Sequence, residues 1–167
     1  MSVSTEGEYA VRALLRLALA GNGDAGGAPL KSADIARQEH IPSKYLQHIL
    51  LRLKKEGFLQ SKPGLNGGYF LARPAREITM ADVIRAVDGP LAPMRCVSET
   101  AYTPCTLVDE ATCALRTVWH EAREAMVGVL GRITLEEVAA RARRMAPPCC
   151  ASSTEGDSSD GNRTSRR

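Results

Sequence analysis

The feature of this sequence that most constrains its fold is a pair of short helical patterns joined by a tight turn. The first pattern covers about Ser32 to Glu39, and the second runs from Pro42 to about Glu56. Because a proline disfavours helix in the residue before it, Pro42 closes the turn, and its fixed φ suits the opening of the second helix. This arrangement predicts a helix-turn-helix, in which the second helix is the one that reads DNA.

A predicted β-hairpin follows the second helix directly. Phe58–Ser61 and Tyr69–Ala72 have the residue types of two short strands, and the glycine-rich stretch Lys62–Gly68 between them predicts a tight turn. In this position a hairpin is typically the wing of a winged helix-turn-helix, whose glycines let the backbone approach a phosphate or a minor groove. An ordinary solvent-exposed hairpin is the alternative interpretation.

Basic residues are concentrated in the same segment. Between Lys31 and Arg76 there are nine Lys or Arg and three acidic residues, so this segment has a net charge of +6 in a chain of net charge +3. A localised positive charge favours a polyanionic partner, because phosphate contacts supply most non-specific affinity for nucleic acid. A solvated helical surface is the simpler alternative.

Helical patterns on both sides of this segment complete a mainly α chain. Thr5 to Glu8 has the pattern of a capping box, which predicts a first helix that ends near Gly21. Another helix is predicted from Thr79. A long amphipathic helix is predicted from about Asp109 to Gly131, after the residues that complete one compact domain. Because this helix lies outside that domain, pairing with the same helix of a second subunit is favoured over packing within its own chain.

We therefore predict a mainly α fold with a small β-hairpin wing, that is, a winged helix-turn-helix plus a long dimerisation helix. The predicted divisions are a DNA-binding domain at 1–90, a cysteine-bearing loop at 91–112, the dimerisation helix and a terminal helix at 113–146, and a disordered tail at 147–167. No stretch approaches the roughly 20 apolar residues of a membrane span. The N-terminal residues also lack the pattern of a signal peptide. We expect a cytoplasmic protein with no membrane partner.

Cysteines are the residues in this sequence that most suggest chemistry. Five cysteines in a cytosolic chain favour metal or redox chemistry over structural disulfides. Cys96, Cys105 and Cys113 fall within 18 residues, between the predicted domain and the long helix. Their spacing, C-x8-C-x7-C, lacks the close pairs of a zinc ribbon. Inert buried thiols are the alternative, and Cys149 and Cys150, beside the predicted tail, are expected to be spectators.

Six segments of the chain, taken in order, form a recognisable set: Glu8–Leu14, Ser32–Ala36, Ile41–Leu46, Gly67–Arg73, Ile78–Ile84 and Val87–Pro90. Together they resemble the Rrf2 family of bacterial transcription regulators. The resemblance covers about Ser4 to Ala142, and the ordered set is more specific than any single segment. It implies a winged-helix homodimer that binds double-stranded promoter DNA, with the long helix crossing to the partner subunit.

The resemblance also implies a cofactor. Members that hold an iron–sulfur cluster have three cysteines between the winged domain and the long helix, where this chain has Cys96, Cys105 and Cys113. The resemblance thus implies a 2Fe-2S or 4Fe-4S cluster on these thiolates, which are the standard ligands of such groups. The spacing is wider than the common spacing of the family, so the cluster type stays open.

The resemblance leaves the fourth ligand of the cluster open. In the branch similar to the iron–sulfur-cluster regulator, a histidine closely follows the third cysteine, and here Leu115 and Arg116 stand there instead. In the branch similar to the nitric-oxide sensor, an acidic residue near the N-terminus is a ligand, and Glu8 has the matching position. Glu8 is equally suited to the predicted capping box.

The resemblance implies a set of DNA contacts. Lys44 and Gln47 correspond to positions that face the bases, and Gln suits adenine while Lys suits guanine or phosphate. Pro63 stands where many relatives have a minor-groove arginine, so Lys62 is its partial substitute. The other expected contacts, to the DNA backbone or through the wing, are Arg12, Ser43, Tyr45, His48, Gly67 and Gly68.

From these observations we expect a transcription regulator, not an enzyme, that senses redox state, nitric oxide or iron through a cluster. A cluster-free regulator that senses through thiols or a small molecule is the first alternative. An iron–sulfur electron carrier is the second, and it is disfavoured because a carrier has no need of a basic recognition helix. Target promoters, the direction of regulation and the physiological signal stay open.

Overall fold

The computed structural model describes residues 3–21 and 23–145. Within them the chain forms six α-helices and one two-stranded antiparallel sheet, which confirms the predicted mainly α fold with a hairpin wing. In chain order the elements are α1 (Thr5–Ala20), α2 (Ser32–Glu39), α3 (Ser43–Lys55), β1 (Leu59–Lys62), β2 (Gly68–Leu71), α4 (Met80–Asp88), α5 (Ala114–Arg132) and α6 (Leu135–Met145). The predicted tail at 147–167, with Cys149 and Cys150, lies outside the described residues.

The core is built where α1, α3 and α4 pack together, because each buries one apolar face. Leu14, Leu46 and Leu53 are fully buried in it. The last helix, α6, returns to this core and buries Leu135 against it. Its start is tied to the start of α4, since the Leu135 N–H donates to the carbonyl of Ile78 at 2.8 Å. The winged domain therefore includes residues from the far end of the described chain.

The first helix is capped one residue earlier than the predicted capping box. Ser4, not Thr5, is the N-cap, and its hydroxyl accepts from the Gly7 N–H at 3.0 Å. Asp88, at the end of α4, accepts from the Ser4 N–H at 2.8 Å and from its hydroxyl. The predicted box at Thr5 is thus wrong, because a carboxylate distant in sequence orients Ser4 instead. Glu8 is left to pair with Arg12.

Two other predictions are corrected in the helices that carry candidate residues. The apolar spacing along α3 predicts a buried stripe of Tyr45, Leu46, Ile49, Leu50 and Leu53. The four aliphatic residues are buried, whereas Tyr45 is 40% exposed. The long helix begins at Ala114, not near Asp109, because Glu110–Thr112 forms a separate 3-10 turn and Cys113 has an extended backbone. The extended residue prevents one continuous helix through this region.

The apolar contacts of α5 with its own chain lie in its C-terminal half. There Met126, Val127 and Leu130 pack against a small apolar cluster formed by Ala81 and Ile84 of α4 and by Leu91. In the N-terminal half, Leu115 is 68% exposed and Trp119 39% exposed. In the part of the chain that the structure covers, we find no helix with the length and hydropathy of a membrane span.

Candidate nucleic-acid interface and cysteine loop

The candidate DNA-reading surface is the exposed face of α3. This helix turns Leu46, Ile49 and Leu53 into the core at helical spacing, which leaves the intervening positions to solvent. All five predicted contact residues of the helix are consequently exposed on its N-terminal half: Ser43, Lys44, Tyr45, Gln47 and His48. The first turn contains no acidic residue. This end of the helix therefore combines the positive pole of the helix dipole with a lysine, which suits an anionic partner.

The first helix, α1, packs against α3 and contacts it through two side-chain pairs. The ring of Tyr45 meets that of Tyr9 edge to face, with centroids 5.7 Å apart and planes at 82°. Arg52, near the end of α3, forms an ion pair with Glu6 at 3.3 Å. These contacts join α1 and α3 at two levels, and the aromatic pair is of a geometry that adds to simple area burial. They fix the orientation of α3 relative to α1.

The wing is shaped by close backbone approaches at two glycines. A Cβ on Gly67 would lie 2.1 Å from the carbonyl oxygen of Lys62, and a Cβ on Gly68 would lie 2.4 Å from that of Leu30. Leu30 joins the hairpin as a short third segment, through two backbone hydrogen bonds with Tyr69 of 2.8 and 2.9 Å. Gly67 is buried. The two glycines thus shape the wing, as the glycine-rich stretch predicted, but the close approach of Gly68 to Leu30 was not part of that prediction.

A basic groove lies between the wing and the start of α2. Lys31, the N-cap residue of α2, and Lys62, at the end of β1, line it from opposite sides. Both side chains are exposed. Lys31 was not among the predicted contacts, although its place just ahead of a helix in the basic segment was a usable signal. The groove thus places two lysines beside the wing.

Arg12, a predicted phosphate contact, lies between two carboxylates. Its guanidinium is 2.9 Å from Glu8 and 3.8 Å from Glu39, and its side chain is half exposed. Arg16 pairs with the same Glu39 at 2.6 Å. Contact of Arg12 with a phosphate therefore requires that it exchange partners. The same pairing holds the carboxylate of Glu8, the candidate fourth cluster ligand, on the surface of α1.

The three candidate ligand cysteines lie on one loop between α4 and α5. Cys96 belongs to the 3-10 turn Arg95–Val97, Cys105 lies on an irregular segment, and Cys113 is the N-cap residue of α5. All three are half-buried thiols without a disulfide partner. Among residues 3–21 and 23–145, no three His, Cys, Asp or Glu side chains converge as a metal site would require. The loop therefore carries the predicted donors without bringing their side chains together.

Glu110 and Arg116 connect the cysteine segments. One carboxylate oxygen of Glu110 accepts from the Cys105 N–H at 2.8 Å, and the other accepts from the Tyr102 hydroxyl at 2.9 Å. Arg116 lies 3.4 Å from that second oxygen and donates to the carbonyl of Cys96 at 3.3 Å. The hydrogen bond from Cys105 is the main cause that lowers the pKa of Glu110, and the bond to Glu110 raises the pKa of Tyr102. The sequence pattern singled out neither partner for this role.

A buried arginine connects the same loop to α5. Arg123 is 5% exposed, and its guanidinium lies 2.6 Å from the carboxylate of Glu99, three residues after Cys96. It also pairs with its neighbour Glu124. A buried charge needs such partners because the cost of leaving it unpaired is high. The cysteine loop is therefore joined to the long helix by an ion pair and not by apolar packing alone.

Comparison with known proteins identifies clear relatives. The sequence profile of the Rrf2 family, described as an iron-dependent transcriptional regulator, matches residues 3–141. The chain is similar to the protein rrf2 of Nitratidesulfovibrio vulgaris, with 35% identity over 138 residues, 83% of this chain and 87% of that protein. It is also similar to the HTH-type transcriptional regulator IscR of Escherichia coli, with 36% identity over 138 residues, 83% of this chain and 80% of that protein.

Solved structures give the same result for the fold. CymR, the global cysteine regulator of B. subtilis, superposes with a TM-score of 0.69 and 28% identity, covering 84% of this chain and 98% of that one. T. potens IscR superposes with a TM-score of 0.67 and 28% identity, covering 88% and 93%. Both similarities cover more than four fifths of this chain.

Proposed function

The chain belongs to the Rrf2 family of transcription regulators, which are not enzymes, and we propose that it binds promoter DNA as a homodimer under the control of an iron–sulfur cluster. The cluster would be held by Cys96, Cys105 and Cys113. The observation that carries this proposal is the place of these three unpaired thiols, on one loop between the DNA-reading domain and the exposed half of α5.

DNA binding is supported by the surface that α3 and the wing present together. Lys44 and Gln47 are exposed on the reading helix, and Lys62 extends the positive surface along the wing. Lys31 adds a fourth contact at the start of α2, across the groove from Lys62. Side chains of these types pair with base edges or with phosphates. Ser43, Tyr45 and His48 are then close enough on the same helix to contact the DNA backbone.

Dimer formation is supported by the uncovered half of α5. Leu115, Val118 and Trp119 are apolar, exposed and spaced at three and four residues along one side of this helix. Such a continuous apolar stripe is typical of a surface that a second helix covers. A second copy of α5 is the occupant that we propose, because a two-fold dimer presents two reading helices to the two half-sites of a palindromic operator.

The donor chemistry of the loop fits a cluster. Three thiols are available, and each is half-buried, so a bound group would be partly shielded from solvent. The described thiols do not converge, so loading requires them to turn toward one another. A bound cluster would supply redox chemistry at this loop. It would gain or lose electrons, or would be lost from the protein on reaction with oxidants or nitric oxide. Glu8 stays a candidate fourth ligand, and this role requires its carboxylate to leave Arg12.

A route from the loop to the DNA-reading surface is available through α5. The ion pair between Glu99 and the buried Arg123 joins the segment that follows Cys96 to this helix. A change at the loop that alters this contact would shift α5 and, through the dimer, the spacing of the two α3 helices. The regulatory signal is then the difference in DNA affinity between the two states.

A cluster-free regulator is the second candidate function. It is favoured by the similarity to CymR, which is described as a global cysteine regulator. In this case the thiols themselves, or a small molecule bound near them, would provide the signal. The DNA-binding and dimer proposals are common to both candidates.

One set of samples tests the proposal. Wild type, Cys105→Ala and the control Cys149→Ala are purified without oxygen, and their absorbance, iron and sulfide are measured. We expect broad absorbance between about 320 and 450 nm with comparable iron and sulfide in wild type and in the control, and none in Cys105→Ala. An iron-free, colourless wild type after anaerobic reconstitution would reject the cluster and leave the second candidate.

A further inference from the structure

We infer that Glu110, paired with Arg116, is the positioning residue that keeps the three cysteine segments together on one loop and so limits how far their thiols must turn to share a bound group. The inference rests on the proposed function for the identity of that group, an iron–sulfur cluster. It assigns to Glu110 a role in shaping the loop, distinct from the role of a ligand.

The contacts of this pair reach every cysteine segment. Glu110 accepts from the Cys105 N–H at 2.8 Å through its side chain, and its backbone carbonyl accepts from the Cys113 N–H at 3.4 Å. Arg116 donates to the Cys96 carbonyl at 3.3 Å through its side chain, and its N–H donates to the Cys113 carbonyl at 3.1 Å. The ion pair between the two side chains completes the connection.

The segment that contains Cys105 depends on this pair because it has little other support. From residue 99 to residue 109, every residue except Cys105 is exposed. Ahead of Cys105, hydrogen bonds join Ala101 to Ser98 and Thr103 to Arg95, and Glu99 pairs with Arg123. After Cys105, the next hydrogen bonds are those of Asp109, within the turn before α5. Glu110 is therefore the contact that attaches Cys105 itself to the start of α5.

A carboxylate suits this position because three donors converge on it. The Cys105 N–H approaches one oxygen, while the Tyr102 hydroxyl and the Arg116 guanidinium approach the other. Only an ionised carboxylate offers acceptors on both oxygens and a negative charge for the arginine. Asp109 next to it does not serve the same purpose, since its carboxylate accepts from the Ala111 N–H within its own turn.

The consequence for the loop is that an exposed stretch is fastened to its neighbours before any group binds, while the thiols have yet to turn toward one another. Fewer conformations are then given up when the thiols do turn, and a smaller loss of conformational freedom raises affinity. Without Glu110, Cys105 would sample many positions relative to Cys96 and Cys113. The thiols would then be more accessible in the empty protein and would retain a cluster less well.

The test uses the full chain in two states. In the cluster-free protein, amide exchange at the Cys105 N–H and the alkylation rate of its thiol are measured for wild type, Glu110→Ala and Glu110→Gln. Glu121→Ala is the matched control, because Glu121 is on α5 and lines the same cavity as Glu110 and Cys113. We expect both rates to rise roughly tenfold in Glu110→Ala, to rise less in Glu110→Gln, which keeps one acceptor, and to stay unchanged in the control.

The second state is the reconstituted protein, challenged with an iron chelator while the cluster absorbance is followed. We expect Glu110→Ala to lose absorbance roughly tenfold faster than wild type and Glu121→Ala to match wild type. Arg116→Ala, a second variant, should free the Cys96 segment and speed the loss in the same direction. Circular dichroism at helix wavelengths confirms that each variant is folded.

The two proposals fail in different ways. If wild type reconstitutes no cluster, the proposed function fails, and the exchange and alkylation rates alone decide whether Glu110 positions Cys105. If wild type holds a cluster and Glu110→Ala matches Glu121→Ala in exchange, alkylation and cluster loss, the positioning role is rejected and the proposed function stands.

Discussion

Replacing Gly67 with alanine should damage the wing while leaving the helices intact. The added Cβ would lie 2.1 Å from the carbonyl oxygen of Lys62 and 2.8 Å from the carbonyl carbon of Pro63. Both neighbours are backbone atoms of the same hairpin, so no side-chain rotation relieves the overlap. Since real Cβ contacts essentially never fall below 3.0 Å, the turn has to open by about 1 Å, and overpacking of this kind costs about 1–3 kcal/mol.

Thermal unfolding and DNA binding together measure this effect. For a chain of this size, about 1 kcal/mol corresponds to a Tm change of roughly 2–4 °C, so Gly67→Ala should lower the Tm by about 2–12 °C. Its affinity for duplex DNA, measured by fluorescence anisotropy, should fall because Lys62 and Gly68 are displaced. Leu65→Ala, in the same turn but 90% exposed, is the control and should change the Tm little. A Gly67→Ala protein with the Tm and DNA affinity of wild type would refute the reasoning.

Three further predictions concern the reading helix, the long helix and the first helix cap. If Lys44 neutralises one phosphate, Lys44→Ala should reduce the slope of log affinity against log salt by about 0.9, and an unchanged slope would exclude that contact. Trp119→Glu should shift the protein from dimer to monomer in sedimentation velocity, while Glu136→Ala on α6 should remain dimeric; a dimeric Trp119→Glu would place the interface elsewhere. Ser4→Ala should cost about 1 kcal/mol in thermal unfolding, as for a lost helix cap, whereas Thr5→Ala should cost much less.

The helix-turn-helix and the wing were readable from sequence because short-range signals determine them. Pro42 marks the boundary between α2 and α3, and the glycine-rich stretch marks the turn between two short strands. Each of the two helices and two strands of this unit begins within one residue of its predicted start. Local propensity and spacing are sufficient for elements of this kind.

Two predictions fail because a partner distant in sequence decides the outcome, and a third fails because of the local backbone at one residue. Ser4 and not Thr5 caps α1 because Ser4 is hydrogen-bonded to Asp88, although Ser4 and Asp88 are 84 positions apart. Tyr45 follows the helical period of the buried stripe, yet its ring rests against Tyr9 at the edge of the core. An extended Cys113 divides the predicted long helix from the turn before it.

By itself the sequence determined the family, the order of the elements and the supply of chemical groups, that is, a basic reading helix, a glycine wing and three thiols on one loop. Only the tertiary structure decided how these groups are held. It places Glu110 and Arg116 between the cysteine segments, buries Arg123 against Glu99 and leaves half of α5 uncovered. The physical reason is that spacing along a chain specifies which residues share a face, whereas the partners across elements follow from how those faces pack.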